Sequence, residues 1–481
     1  MPNPLASLLL DAGRQDPDKV FLRIPQGETW TYADLDRVSA QMAHALLNLG
    51  VLPGDRVAVQ TGKSPTVLAL HVACVRAGAV YLPMNTAYTE REVTDLIDDA
   101  QPSLIVSDEP PSRDVPHTTL DELARSAQSR SASFDDVARQ GSDPAAILYT
   151  SGTTGRPKGA VMSHANLVFS ARTLADAWGF TSADVLLHSL PLFHTHGLFV
   201  AAYCSITTGG SMVMLDSFHP DLVVDALPSC TVMMGVPTHY TRLLAHPAFT
   251  SEVAKGVRLF TSGSAPMLVA THEEFTRVTG STILERYGMT ETCMLTSNPL
   301  NGARKPGTVG PPLPGVQVRL VDGTPGSVEV TGPNVFEGYW RRPELQSTEF
   351  TPDGWFKTGD LGRFDEDGYL EIVGRSKDLV ITGGLNVYPK EVESVLDALP
   401  GVLESAVVGL PDPDFGEAVT AAVVATSGST LDPDELRRLA REHLAAFKVP
   451  KRIHVLPALP RNAMGKVEKA RLRETLQPSG R

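Results

Sequence analysis

The run Tyr149-Thr-Ser-Gly-Thr-Thr-Gly-Arg-Pro-Lys-Gly159 gathers glycines, hydroxyl side chains, an arginine and a lysine into one short stretch. Backbone N–H groups opened by glycine, side-chain hydroxyls and an ammonium are the groups that hold a polyphosphate. Apolar residues 145–148 lead into the run, so it reads as a strand opening into a phosphate-cradling loop. Its spacing is not the G-x-x-x-x-G-K-[ST] of the common P-loop. Gly152, Gly155 and Lys158 are each three apart, and Gly159 follows the lysine. A nucleoside triphosphate is therefore expected on a fold other than the usual NTPase fold. A plain surface loop is the alternative, but a linker rarely combines so many phosphate-compatible groups.

Further segments carry complementary chemistry. Ser262-Gly-Ser-Ala-Pro266 follows an expected strand over 257–260, and backbone this open lets a flat ligand approach closely. Glu285-Arg-Tyr-Gly-Met-Thr-Glu291 follows an expected strand over 282–284. It offers Thr290 to a phosphate and Glu291 to Mg²⁺, a hard cation that prefers oxygen ligands. Trp355-Phe-Lys-Thr-Gly-Asp360 ends in a carboxylate able to accept both hydroxyls of a ribose. Gly374-Arg-Ser-Lys-Asp378 lies where the sequence texture changes, and Pro460-Arg-Asn-Ala-Met-Gly-Lys466 puts a lysine in a glycine-containing loop near the end. Each alone reads as an ordinary turn. Together they supply a triphosphate cradle, a magnesium carboxylate, a ribose carboxylate and a remote lysine.

These groups need elements to hold them. Thr31 and Asp34 open a helix with an apolar stripe at Leu35, Val38, Met42 and Leu46, and 56–60 reads as a strand. Ser64-Pro65 and then Thr89 with Glu92 start further helices, and 104–106 is strand-like. The order resumes after the loop, with a helix after Ser163, strands near 185–187 and 212–215, and a helix over 198–206. Such alternation predicts parallel sheets with helices on their faces. From about Gly307, short alternating runs between Gly/Pro turns predict antiparallel strands and a small barrel-like subdomain. After Arg375 a compact α+β unit follows, with helices over 389–399 and 433–446. Residues 126–141 read as a polar surface excursion.

The chain has 481 residues, room for two or three domains, and carries a net charge of −13 with no basic tract. Nucleic acid is therefore not an expected partner. No apolar run is long enough to span a bilayer, and the start lacks a basic signal-peptide region, so a cytoplasmic protein is expected. Four scattered cysteines without a C-x-x-C pair fit a reducing compartment.

The ordered set YTSGTTGRPKG, SGSAP, RYGMTE, GWFKTGD, GRSKDLVITGG and PRNAMGK resembles the ANL adenylate-forming superfamily: acyl-CoA synthetases, non-ribosomal peptide adenylation domains and firefly luciferases. The resemblance spans nearly the whole chain. It implies an α/β N-terminal domain over 1–375 with the barrel-like subdomain, and a small mobile α+β lid over 376–481. It also implies two half-reactions. A carboxylate attacks the α-phosphate of MgATP to give an acyl-adenylate and pyrophosphate; a thiol then takes the acyl group and AMP leaves. By position, Thr150, Ser151, Thr153, Thr154 and Lys158 cradle the outer phosphates. Ser264, Ala265, Pro266, Glu285, Arg286, Tyr287, Gly288 and Met289 complete the ATP wall, with Ala265 and Tyr287 flanking adenine. Thr290 touches the α-phosphate, Glu291 holds Mg²⁺, and Asp360 and Arg375 hold the ribose. Lys466 is the catalytic lysine of adenylation, Lys377 the hinge, and Gly383 and Gly384 flank the tunnel for the CoA arm.

Particular residues bear on the choice of acid. Relatives that take apolar acids carry a small residue where this chain has Arg286. A large cation in an acyl pocket is costly unless paired, and a second carboxylate on the substrate would pair it bidentately. His194 and His196 in Phe-His-Thr-His-Gly197, with Ser264, add to that wall. Together with the run Leu295-Thr-Ser-Asn-Pro299 they resemble the malonate-activating branch of the superfamily. Malonate is the expected acid, with methylmalonate tolerated to an unknown degree, and CoA the expected acceptor. A carrier protein is possible but not indicated. Alternatives are another short or aryl acid, a nucleotide sensor without ligase activity, or Arg286 turned away onto Glu285. An amino acid fits poorly, because histidine stands where peptide synthetases place an aspartate for the ammonium.

Overall fold

The computed structural model describes residues 2–150, 157–462 and 465–477. Two parallel sheets with helices against them form the bulk of the chain. The first runs His117–Thr118, Leu104–Ser107, Arg56–Gln60, Val80–Pro83, Pro144–Thr150, Lys158–Ser163 across its width, parallel except for its last, antiparallel pair. That pair is the hairpin carrying the phosphate-cradling loop. The second has eight strands, in the order Thr296–Ser297, Leu284–Tyr287, Leu259–Ser262, Val232–Gly235, Val185–His188, Ser211–Met214, Val20–Arg23, Thr29–Thr31. Its inner strands are parallel, and an antiparallel strand closes each edge. Near-continuous apolar runs such as Val80–Pro83 and Val232–Gly235 are buried throughout, as strands covered on both faces must be.

The helix starts follow the expected capping chemistry. Thr31, Thr89 and Ser64 accept hydrogen bonds from the backbone three residues on, and the first two form full capping boxes with Asp34 and Glu92. The barrel-like part is a four-stranded antiparallel sheet, Gln317–Val321, Gly326–Thr331, Phe356–Phe364 and Leu370–Arg375. Beyond it lies a separate α+β unit. Its five-stranded sheet and the helices Pro389–Asp397 and Pro433–Ala440 enclose Val392, Leu396, Val407, Val419, Val423 and Leu436 as their own core.

Several expectations shift. The strand expected over 282–284 is Leu284–Tyr287, so Glu285, Arg286 and Tyr287 are strand residues; pairing of Ser262 with Glu285 fixes that register. The strand expected over 257–260 is Leu259–Ser262 for the same reason. The helix expected over 198–206 begins earlier, as a π-helical segment His196–Ala202 that passes into Tyr203–Thr207. The helix expected over 433–446 stops at Ala440, where the chain turns and Leu444 and Val449 pack into the same core. Residues 126–141 are no free excursion. Arg76, 1% exposed, binds Asp136 at 2.7 Å and the Phe134 carbonyl, and its own carbonyl accepts from Val137. All four cysteines are buried and unpaired. No described helix is long and apolar enough to cross a membrane.

Candidate active site

The carboxyl ends of the parallel strands Val185–His188, Val232–Gly235, Leu259–Ser262 and Leu284–Tyr287 share one edge of the second sheet. Ligands of open parallel α/β sheets lie at that edge. Tyr287 donates its phenol proton to Asp360 Oδ2, and Arg375 Nε stands 2.8 Å from Asp360 Oδ1. Asp360 and Arg375 face each other across antiparallel strands, which fixes the pair. Burial, then the Asp360 charge, pushes the Tyr287 phenol well above its ordinary pKa, so it remains a donor. A buried carboxylate braced by a cation and a phenol is suited to accept hydroxyls from a sugar.

A second constellation lies beside the hairpin Pro144–Thr150 and Lys158–Ser163. Thr150 pairs with Lys158 at its open end. Ser151, Thr153 and Thr154 lie outside the described residues. Tyr149 braces the base by donating to Asp99 at 2.6 Å, and Asp99 also binds Arg342 at 2.5 Å. The Lys158 ammonium is 2.7 Å from Glu349 Oε1 and 5.0 Å from the Tyr339 ring centroid. Tyr339 in turn donates to Glu291 Oε1 at 2.9 Å. Glu291 is buried, and desolvation raises its pKa although the Tyr339 hydrogen bond opposes the rise. A desolvated carboxylate has the oxygen-donor chemistry that Mg²⁺ takes. Thr290 is half-buried in the turn before Glu291. Gly288 keeps that turn tight, since a Cβ there would stand 2.1 Å from the Cys293 carbonyl oxygen.

The third group is centred on Arg286, a buried cation without a described anionic partner. Arg286 is 4% exposed, and among the described residues its Nε and Nη2 have no hydrogen-bond partner. No described carboxylate pairs with it. Glu285 points elsewhere, accepting from Gly307 N at 3.1 Å and lying 3.0 Å from His272 Nδ1. Burial lowers the guanidinium pKa to about 10, which still leaves it charged at neutral pH. His194 and His196 lie in its field, and burial and the Arg286 charge lower both, His194 to about 4, so both are neutral. His196 sits at the start of the π-helical segment, a feature that often marks functional sites. Its Nδ1 is 3.3 Å from Ser264 Oγ, while its buried Nε2 has no described partner. Ser264 holds a left-handed φ of 69° to make that contact. Ala265 is half-buried beside it, and Pro266 is exposed.

The lid approaches the same crevice. Gly465 packs on the N-terminal part: a Cβ there would meet Thr238 Oγ1 at 3.0 Å. Lys466 keeps solvent exposure at its surface, but partial burial and Arg375 lower its ammonium pKa, and Asp360 opposes that shift. The Asp360–Arg375 pair is thus within electrostatic reach of Lys466. Lys377 is exposed in the short turn Ser376–Asp378 and also acts on Lys466. Gly383 and Gly384 are not part of this assembly. They form an exposed hairpin turn with positive φ, where Gly383 N donates to the Phe415 carbonyl and a Cβ on Gly384 would meet nothing within 4 Å.

Tyr339 and Glu349 escape a sequence reading. One stands in Gly-Tyr-Trp340 and the other in Ser-Thr-Glu-Phe350, and neither stretch carries a chemical signature.

The AMP-binding enzyme family matches residues 9–340, and the AMP-binding enzyme C-terminal domain matches residues 391–466. The malonate–CoA ligase of Arabidopsis thaliana is 37% identical, covering 89% of this chain and 79% of its own. A feruloyl-CoA synthase of Amycolatopsis is 36% identical, covering 93% and 94%. ATP-bound MatB from Rhodopseudomonas palustris superposes with a TM-score of 0.95 at 49% identity over 99% of both chains. Its apo form superposes with a TM-score of 0.84. Motifs in order, the buried Asp360–Arg375 pair, the buried Glu291 held by Tyr339 and full-length matches converge: the chain belongs to the AMP-binding enzymes of the ANL adenylate-forming superfamily.

Proposed function

We propose that the protein is an ATP-dependent acid–CoA ligase that converts malonate to malonyl-CoA through malonyl-adenylate, releasing pyrophosphate and AMP. The observation that carries the acid is Arg286, a buried cation whose guanidinium edge lacks a partner. Leaving it so costs several kcal/mol, and a substrate carboxylate removes that cost. Malonate has one carboxylate to react and one to spare. The spare group pairs with Arg286, and the neutral His196 and Ser264 beside it offer further polar contacts. The reacting carboxylate then points along the strand ends toward the α-phosphate. The similarity to a plant malonate–CoA ligase supports this reading. The similarity to a feruloyl-CoA synthase makes an aryl acid the competing outcome.

ATP lies with its ribose on Asp360 and Arg375 and its adenine between Tyr287 and the Ala265 segment. Its outer phosphates lie under the 149–159 loop, where they replace Glu349 as the partner of Lys158. Mg²⁺ would be held by Glu291 and would offset negative charge on the phosphates. Thr290 donates to the α-phosphate. Lys466 places a cation where two anions must meet, an effect worth several kcal/mol in a water-poor site. After adenylation, the lid (376–481) turns about Lys377 away from the large domain (1–375). That motion brings the Gly383–Gly384 turn to the CoA arm, where missing side chains allow close passage.

Replacing Arg286 by alanine tests the proposal. In the Arg286→Ala variant, kcat/KM for malonate falls at least about 100-fold, the size expected when a buried charge pair worth ~3 kcal/mol is lost. ATP-dependent pyrophosphate release with acetate persists. Malonate turnover within a few-fold of the parent would sink the assignment.

A further inference from the structure

We infer that Gly263 is a specificity-determining position, whose missing side chain forms the slot in which the Arg286 guanidinium lies. The inference rests on Arg286 being the partner of malonate's second carboxylate. Gly263 directly follows the strand Leu259–Ser262, and Arg286 lies on the adjacent parallel strand Leu284–Tyr287. The register pairs Thr261 with Leu284 and Ser262 with Glu285, so the next residues along, Gly263 and Arg286, are cross-strand neighbours. Neighbours of this kind compete for the same space above the sheet.

Here the arginine takes all of it. A Cβ on Gly263 would stand 2.2 Å from Arg286 Nη1, 2.4 Å from Cζ and 2.8 Å from Nε, and these are its three nearest atoms. The guanidinium plane therefore covers its neighbour's Cα, and no side chain fits beneath it. Gly263 has no left-handed φ, so backbone conformation does not demand glycine at this position. What demands it is the arginine head. That head ends a flexible side chain, so an added methyl can displace it without breaking the sheet. The displaced charge would leave the place where it meets the carboxylate. Gly263 is thus a positioning residue that acts through Arg286.

The experiment combines Gly263→Ala, Arg286→Ala and the double variant in the full-length enzyme, with malonate and acetate as acids. Thermal unfolding and the KM for ATP are measured beside the kinetics. The slot predicts that Gly263→Ala keeps its Tm and its KM for ATP while its KM for malonate rises at least about tenfold, with kcat changed much less. It predicts no further loss when the same change is added to Arg286→Ala, and acetate turnover like the parent's. A malonate KM within about twofold of the parent, or an equal loss in the Arg286→Ala background, overturns it. If Gly263→Ala fails to fold, recovery of folding in the double variant supports the slot, and failure of both overturns it. Malonate use surviving in Arg286→Ala strikes the substrate assignment instead, a result the Gly263 arm cannot mimic.

Discussion

A carboxylate that holds a hard cation must stay ionised while desolvated, and Glu291 is pulled both ways. Burial raises its pKa, and the Tyr339 hydrogen bond lowers it by favouring the charged form. Tyr339→Phe removes one of the contacts that oppose the rise, beside a backbone hydrogen bond and Arg375, so the pKa rises further and protonation sets in at higher pH. The acid limb of pyrophosphate release is expected to move up in pH in that variant; an unmoved limb would separate Tyr339 from the chemistry. On the alkaline side the sign reverses. The Lys466 pKa is lowered by partial burial and then by Arg375, so its cation is lost at a lower pH than an ordinary lysine's. Adenylation is therefore expected to decline with rising pH through that pKa. In the proposed mechanism thioester formation from preformed malonyl-adenylate does not use Lys466, so it is expected to lack the limb. Arg286 was legible in the sequence because a large cation at a strand end contradicts an apolar acyl pocket. Tyr339 and Glu349 were not, since a tyrosine in an aromatic stretch and a glutamate at the end of a short helix have chemistry only once folding sets them beside Glu291 and Lys158.

At the scale of elements, the ends of strands decide which residues reach the crevice. A period-two pattern locates a strand but not where pairing stops, which is why Glu285, Arg286 and Tyr287 read as loop and stand as strand. Capping boxes at Thr31 and Thr89 were readable because their hydrogen bonds are local. The π-helical start at His196 was not readable. It depends on Gly197 lying against Pro191, where a Cβ would be 2.0 Å from the carbonyl oxygen. The lysine loop of the lid also rests on a close contact, a looser one, where a Cβ on Gly465 would be 3.0 Å from Thr238 Oγ1. Gly465 has φ 73°, and its Cα faces Thr238 in the helix Pro237–Leu244. Gly465→Val adds both strain and a clash there. It is expected to slow malonate-dependent pyrophosphate release by about tenfold or more and to spare thioester formation from preformed malonyl-adenylate. Equal loss of both half-reactions would argue that the contact serves general stability.

At the scale of the molecule, the class of fold followed from alternating helix and strand signals and the reaction class from motifs in order. The pose of the lid did not, because no local signal says which of two docked arrangements a hinged unit adopts. The lid has its own core around Val407, Val419 and Val423, so it can move as a body. In the arrangement seen, Lys466 is at the crevice and the Gly383–Gly384 turn faces outward. In the proposed mechanism that pose is the adenylating one and malonate is the acid. The most direct test is kcat/KM of the unaltered enzyme for malonate, methylmalonate, succinate, acetate and ferulate, with ATP, Mg²⁺ and CoA, and with each thioester identified by mass. The account predicts malonyl-CoA as the product formed most efficiently, ahead of acetate and ferulate by at least about 100-fold. A preference for ferulate or acetate, or no thioester with any acid, would contradict it.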